Sequence, residues 1–109
     1  MKQYRLEFGA DAARQLEDLY EYIAESSSPH SAAAFTESIV AFCEGVAVAP
    51  MIGTSRDDVR SGLRTIGFKK RVVVAFVVRD DAVSVIGIYY GGREYESPLL
   101  QAIETTAFD

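Results

Sequence analysis

Three arginines in the second half of the chain are the side chains best suited to chemistry on a charged ligand. Arg64 lies in a predicted strand, Arg71 opens the next strand, and Arg93 follows a glycine pair after the last strand. A guanidinium offers paired donors that fit a phosphate or a carboxylate. Neighbouring antiparallel strands could bring these arginines toward one surface, although the sequence leaves the registers open. The alternative is that they pair with acids of the same chain, such as Glu94 or Glu96.

Side chains for proton transfer are poorly represented. His30 is the only histidine, and it falls in the first turn of a predicted helix, where we expect it to be solvated. Tyr89 and Tyr90 end the last predicted strand on alternate faces, so one is expected to pack and the other could stack on a base or contact a partner. Cys43 is the only cysteine, so no internal disulfide can form. No nucleophile triad, phosphate loop or metal-ligand spacing occurs, and no cofactor or metal is expected.

The first half of the chain predicts one strand and two helices. Alternating apolar residues over 2–8 indicate a half-buried strand. A helix over 12–25 follows, with Asp11 as its expected N-cap. Ser28 and Pro29 predict the start of a second helix that runs to about residue 48. Two apolar-striped helices joined by a short polar link should form an antiparallel hairpin.

The second half predicts a small sheet. After a polar loop over 54–62, strand-like runs cover 63–68, 71–78 and 83–90. The second of these runs is apolar throughout, as in a strand covered on both faces. Their connections are too short for parallel crossovers, so an antiparallel meander is expected. Ser97-Pro98 predicts a short C-terminal helix through residue 103. The sequence therefore predicts one α+β domain over residues 1–109.

The net charge of −5 is unevenly distributed along the chain. Residues 1–50 carry a net −5, residues 51–93 a net +4, and residues 94–109 a net −4. This pattern predicts a basic sheet surface on an otherwise acidic body. The acidic balance argues against direct binding of DNA by this chain alone, because such binding depends on phosphate neutralisation. No segment was expected to reach the apolar length of a membrane span, and no signal peptide is evident, so a cytoplasmic protein is expected.

Several short motifs recur in an order and spacing typical of one family. The first helix contributes Ala12, Gln15-Leu16, Leu19 and Tyr22-Ile23-Ala24, and the second contributes Ala32, Phe35, Ile39 and Cys43. The loop and sheet contribute Pro50, Gly53, Arg56, Asp58-Val59, Gly62-Leu63-Arg64, Arg71, Ile88, Gly91 or Gly92, and Arg93-Glu94. Over about residues 2–95 the chain resembles the RelE/ParE superfamily of toxins, and it is closer to the ParE branch.

This resemblance implies a bacterial toxin of a type II toxin–antitoxin system. A cognate ParD-like antitoxin would neutralise it in a hetero-oligomer. The ParE branch is associated with inhibition of DNA gyrase and with plasmid stabilisation, whereas the RelE branch cleaves mRNA on the ribosome. Gln15 replaces the acid that is usual at its position, and Phe76-Val77 stand where many relatives have a tyrosine. Tyr90 lies near the position where a histidine is common.

The weak proton-transfer set favours a binding inhibitor over an enzyme. The alternatives are an endoribonuclease with Arg64, Arg71 and Arg93 around a phosphate, and a non-toxic interaction protein of the same fold. The residues expected to contact the target or the antitoxin are Arg56, Arg64, Arg71, Arg93 and Tyr90. An antitoxin segment with acidic and apolar residues is expected on the basic sheet surface and in the grooves of the hairpin.

Overall fold

A computed structural model describes residues 4–91 as two helices and a five-stranded sheet. The elements in chain order are β1 (Arg5–Phe8), α1 (Ala10–Ser26), α2 (Pro29–Val48), β2 (Thr54–Ser55), β3 (Leu63–Phe68), β4 (Val72–Arg79) and β5 (Ala82–Tyr90). The predicted α+β class, helical hairpin and three-stranded meander are confirmed. The predicted C-terminal helix and Arg93 lie outside the described residues, and the single-domain boundary of 1–109 stays a prediction.

The sheet has the strand order β1-β5-β4-β3-β2. The meander of β3, β4 and β5 is antiparallel, and β1 joins it in parallel to β5, with Leu6 opposite Val83. The two helices and strands β2 to β4 lie between β1 and β5 in sequence, which supplies the long connection that a parallel pair requires. β2, which falls within the predicted loop over 54–62, pairs with β3 at the other edge, where Thr54 lies opposite Thr65.

The two helices begin differently. The N-cap of α1 is Gly9 and not Asp11 as predicted, because the Gly9 carbonyl accepts the first helical hydrogen bond from Ala13 N at 3.0 Å. Asp11 lies in the first turn instead, where its negative charge interacts favourably with the positive end of the helix dipole. The start of α2 is as predicted: Ser28 is the N-cap, its hydroxyl accepts from Ser31 N at 3.0 Å, and proline follows it.

Both faces of β4 are buried, as its apolar sequence predicted. The face toward the hairpin carries Val72, Val74 and Phe76, which pack with the buried positions of α1, α2 and β5. The opposite face carries a smaller cluster that includes Ala75 and Val77. The larger cluster is the main core, and its buried members are Ala12, Leu19, Ile39, Cys43, Val46, Ala47, Val72, Val74, Phe76, Val83, Val85 and Ile88.

A register shift between β4 and β5 determines which face the end of β5 uses. Phe76 lies opposite Val85 and Ala75 lies opposite Gly87, so Ile86 is an extra residue in β5. The bulge allows Val85 and Ile88 to face the same core although they are three residues apart. It also places Tyr90 on the hairpin side and Tyr89 in the opposite cluster.

The composition of α2 corrects one expectation. Over Pro29–Val48 this helix is long and apolar enough to cross a membrane by length and composition alone, although a core helix passes the same test. Its Ala32, Ile39 and Cys43 side chains are fully buried inside the protein. Burial, with a smaller contribution from Glu44, raises the pKa of the Cys43 thiol to about 11, so this thiol stays protonated and unreactive.

Candidate functional site

Among the described residues, the structure does not place Arg64 and Arg71 side by side. Arg64 lies opposite Phe76, whereas Arg71 precedes Val72 at the turn between β3 and β4. Five residues of strand separate the two positions, which is about 17 Å at the usual rise per residue. This separation, together with the hydrogen bond that holds Arg64 on the Ile52 carbonyl, argues against a shared phosphate clamp.

Arg64 supports the loop that precedes β3. Its Nε donates to the carbonyl oxygen of Ile52 at 2.8 Å. It lines a small cavity of about 220 Å³ together with Met51, Ser55, Asp57, Gly62 and Val78. The Gly62 N–H and the Ser55 hydroxyl donate to Asp57, and they lower the pKa of its carboxyl group. The contacts of Arg64 that the structure records are thus with the chain itself.

Arg56 is similarly engaged within the loop. Its Nε lies 3.2 Å from Asp58 Oδ1, and its side chain is only 19% exposed. The Arg56 backbone N–H donates to the Leu63 carbonyl at 2.8 Å and extends the β2–β3 pairing. This geometry gives Arg56 a role in holding the loop, and its predicted contact with a target or antitoxin stays a prediction.

Tyr90 and Arg71 lie at one end of the sheet. Tyr90 is opposite Val72 and is 41% exposed, and Tyr89 is buried in the far cluster, so the expected division of the two tyrosines is correct. Burial raises the pKa of Tyr89, and a side-chain hydrogen bond from Gln15 opposes part of this effect. His30 is exposed in the first turn of α2, as expected.

Aromatic rings from both helices lie beside Tyr90. The centroids of Tyr90 and Tyr22 are 6.0 Å apart, and those of Tyr90 and Phe35 are 6.1 Å apart in an edge-to-face arrangement. Lys69 Nζ lies 5.6 Å from the Phe35 centroid and 5.3 Å from the Phe68 centroid, within the range of cation–π attraction. We call this surface the aromatic–cationic end; its members are Tyr22, Phe35, Phe68, Lys69, Lys70, Arg71 and Tyr90.

Most of this end was not predicted as a site. The sequence places Tyr22 and Phe35 in helix motifs and leaves Lys69-Lys70 between the predicted strands over 63–68 and 71–78. The sequence signal that could have found it is the run of three cations immediately before a central strand. Their proximity to Tyr22 and Tyr90 depends on the hairpin packing on the sheet, which no local pattern specifies.

An apolar groove of about 540 Å³ runs along the outer side of the helical hairpin. Leu16 and Tyr20 of α1 and Val40 of α2 are half-buried in it. Leu16 and Tyr20 belong to the apolar stripe of α1. Part of this stripe lines the groove and is therefore not covered by the contact between α1 and α2. The full lining is Phe8, Ala13, Leu16, Glu17, Tyr20, Thr36, Glu37, Val40, Ala41 and Glu44, in which the three exposed glutamates form the rim.

Comparison with known proteins identifies the family. A family model described as the ParE toxin of type II toxin–antitoxin systems, parDE, matches residues 6–95. The chain belongs to the ParE toxin family. A search of curated proteins finds no match.

The fold of this ParE toxin also matches a solved structure. A chain described as "Chromosomal ParDE TA system from P. aeruginosa" superposes with a TM-score of 0.70 and is 19% identical. The match covers 81% of the present chain and 96% of that chain. At this identity the likeness establishes the shared fold, and it confirms the α+β arrangement predicted from the sequence.

The two surfaces of the ParE toxin are suited to binding. The groove offers apolar side chains inside an acidic rim, and the aromatic–cationic end offers rings beside positive charges. Within residues 4–91, no three side chains of the metal-ligating types come close enough together to hold a metal ion. The described arrangement can therefore recognise protein segments of defined charge and apolarity.

Proposed function

We propose that this ParE toxin binds DNA gyrase, inhibits it without chemistry of its own, and is neutralised by a cognate ParD-like antitoxin. Membership of the ParE family supports this function. We choose a binding mechanism because Arg64 and Arg71 are separated along the β3–β4 strand pair. A toxin with these partners would act in the bacterial cytoplasm and would contribute to plasmid stabilisation.

A RelE-like endoribonuclease is less well supported. Cleavage at a 2′-hydroxyl requires a base, an acid and stabilisation of the charge on phosphorus. The Arg64 side chain donates a hydrogen bond to the Ile52 carbonyl. Its backbone position lies about 17 Å from that of Arg71 along the strands. Tyr89 is buried with a raised pKa, which takes it further from use as a base near neutral pH. A non-toxic interaction protein of the same fold has no specific observation in its favour.

The proposed activity is tested with purified components. Toxin is added to gyrase and relaxed plasmid DNA, and both supercoiling and cleaved DNA are measured on gels. We expect loss of supercoiling or accumulation of cleaved DNA in proportion to the toxin concentration. Unchanged supercoiling without cleaved DNA, together with degradation of mRNA after induction in cells, would support the RelE-like alternative instead.

The groove of the hairpin is the proposed docking site for the antitoxin. Its apolar lining suits the apolar stripe of an amphipathic helix. The rim formed by Glu17, Glu37 and Glu44 is acidic, so the complementary segment carries Lys or Arg beside that stripe. This adds basic residues to the antitoxin segment, which the sequence-based expectation described as acidic and apolar for the sheet surface and the hairpin grooves together.

Two alanine substitutions on α2 test this docking site. Ala41 is exposed in the groove, and Ala34 is exposed on the same helix but does not line the groove. We expect Ala41→Phe to fill the groove and weaken antitoxin binding at least tenfold, while Ala34→Phe leaves it unchanged. Binding is measured by calorimetry with the antitoxin encoded beside the toxin gene. Equal affinities for the two variants would remove the groove from the interface.

A further inference from the structure

The aromatic–cationic end combines exposed aromatic area with positive charge that forms no ion pair within residues 4–91. Tyr22 is 58% exposed and Tyr90 is 41% exposed, two of the few large apolar side chains so exposed in residues 4–91. Lys69, Lys70 and Arg71 are all exposed, and none of them takes part in the ion pairs of the described chain, which involve Arg5, Arg14 and Arg56. Exposed rings beside unneutralised cations are typical of an interaction surface.

The backbone of the turn gives a second, independent indication. Lys69 and Lys70 both have left-handed conformations, with φ of 53° and 65°. Two successive residues of this kind favour Asn-Gly, and a lysine at either position carries conformational strain. Lysines at both positions therefore cost stability that a neutral turn would retain. Strain of this kind at an exposed position is consistent with a binding role for the two ammonium groups.

The charge around the patch distinguishes between two kinds of partner. Asp18 and Glu25 lie four residues before and three residues after Tyr22 on α1, so they are its neighbours on the helix surface, and both are exposed. A nucleic acid that stacked on Tyr22 would bring its phosphates near these carboxylates. A short acidic peptide can instead place its carboxylates at the lysine turn and an apolar side chain over the tyrosines.

We infer that the aromatic–cationic end binds an acidic segment with an aromatic or aliphatic side chain on the protein that this toxin inhibits. This inference rests on the proposed function, because it assigns the target-facing surface of a binding inhibitor. The carboxylates of the segment lie against Lys69, Lys70 and Arg71. Its apolar side chain packs on Tyr22 and Tyr90, whose rings lie against each other, and Phe35 packs edge-on against Tyr90.

The surface is probed directly by titrating the full-length ¹⁵N-labelled toxin with a short peptide in which aspartates flank a Phe-Leu pair. We expect the amide signals of residues 69–72 and of Tyr90 to shift, and the same peptide with Asn in place of Asp to bind roughly tenfold more weakly. Absence of shifts, shifts confined to the hairpin groove, or tighter binding of a thymidine oligonucleotide would each overturn the inference.

The double variant Lys69→Asn/Lys70→Gly separates binding from folding. It removes both charges and supplies the preferred residues for a left-handed turn, so its resistance to urea should equal or exceed that of the wild type. We expect roughly tenfold weaker binding of the acidic peptide. The control Arg14→Gln/Arg79→Gln removes the same charge elsewhere and should keep the affinity of the wild type. Equal affinity of the turn variant and the wild type would contradict the inference.

The same variants added to purified gyrase distinguish the two proposals. If the wild-type toxin inhibits gyrase and the turn variant inhibits it equally, the proposed function stands and the target-facing surface is wrong. If the wild-type toxin neither binds nor inhibits gyrase, but the acidic peptide binds at residues 69–72, the surface stands and gyrase is not the target.

Discussion

At the residue scale, Gln15 closes an edge of the sheet that no strand within residues 4–91 covers. β1 pairs with β5 only as far as Val85, and beyond that point the Gln15 side chain accepts the Ile88 N–H at 2.7 Å. Ile88 is 3% exposed, so its N–H has no access to bulk water once this partner is removed. We expect Gln15→Ala to lower the free energy of unfolding by about 1–3 kcal/mol, measured by urea denaturation.

Two further variants control for this interpretation. Gln15→Glu keeps an oxygen acceptor and should retain most of the stability of the wild type. Arg14→Ala removes only an exposed ion pair with Asp11, which should change the free energy of unfolding by about 0.5 kcal/mol or less. An equal loss in Gln15→Ala and Arg14→Ala would mean that the hydrogen bond to Ile88 contributes little.

Gly87 provides room for a buried ring. A Cβ atom at this position would lie 2.6 Å from two carbons of the Tyr89 ring. Gly87→Ala should therefore reduce stability by about 1–3 kcal/mol, because the ring must move within a packed cluster. Gly45 on α2 has no atom within 4 Å of its hypothetical Cβ, so Gly45→Ala should increase stability by about 0.5–1 kcal/mol. Thermal unfolding of both variants checks the contrast, and a destabilised Gly45→Ala would refute it.

Residue roles were predictable where they depend on near neighbours. The Ser28-Pro29 helix start requires only the next three residues, and the structure reproduces it. The contact of Gln15 with Ile88 joins residues 73 apart in sequence, so no local pattern could reveal it. The grouping of Arg64 with Arg71 failed for a related reason, since residues on adjacent strands meet only if the register places them opposite each other.

At the element scale, Asp57 holds the loop between β2 and β3. Its carboxylate accepts from Gly62 N at 2.9 Å and from the Ser55 hydroxyl at 3.1 Å, and its pKa is lowered from the ordinary 3.8. A lowered pKa in the folded state contributes stability that is present above the ordinary value and is lost as the pH falls through the folded value. The Asp57→Asn variant should therefore have a lower free energy of unfolding than the wild type at pH 7. Between pH 5 and about pH 2.5 its free energy of unfolding should fall by less than that of the wild type.

Urea unfolding at several pH values measures this difference. Asp18→Asn serves as the control, because it removes the same charge from an exposed position on α1. A parallel pH dependence for Asp57→Asn and the wild type would show that the Asp57 carboxylate does not stabilise the loop.

Element types were predictable from periodicity, whereas their register was not. The apolar runs of α2, β3 and β4 are long enough to identify their type and to place their ends within one or two residues. β2 has only two residues, and it is a strand because β3 lies beside it, so its own sequence carries no strand pattern. The bulge at Ile86 reverses the inward face of β5, and strict alternation would have assigned that face incorrectly.

At the scale of the whole molecule, the predicted basic sheet surface covers fewer residues than the net charge of +4 over residues 51–93 suggests. Arg5 is paired with Glu7 and Asp81, and Arg56 is paired with Asp58, so these cations are locally compensated. Outside these ion pairs, three consecutive cations occupy the turn at residues 69–71, and the other described ones, Arg60, Arg64 and Arg79, are dispersed along the chain. The sequence also predicted an acidic remainder of the molecule, and the acidic helices with their groove correspond to it. The charge is thus divided between a basic turn of the sheet and an acidic helical hairpin.

This division predicts that antitoxin binding and target binding are separable. Ala41→Phe alters the groove and leaves the aromatic–cationic end intact, so cells should be inhibited by this variant even when the antitoxin is present. Lys69→Asn/Lys70→Gly should show the reverse, with wild-type antitoxin affinity and weakened toxicity. Because these substitutions share no contacts, their effects on the two binding free energies should add within about 0.5 kcal/mol in the combined variant. Loss of both activities on changing either surface would mean that one continuous interface serves both partners.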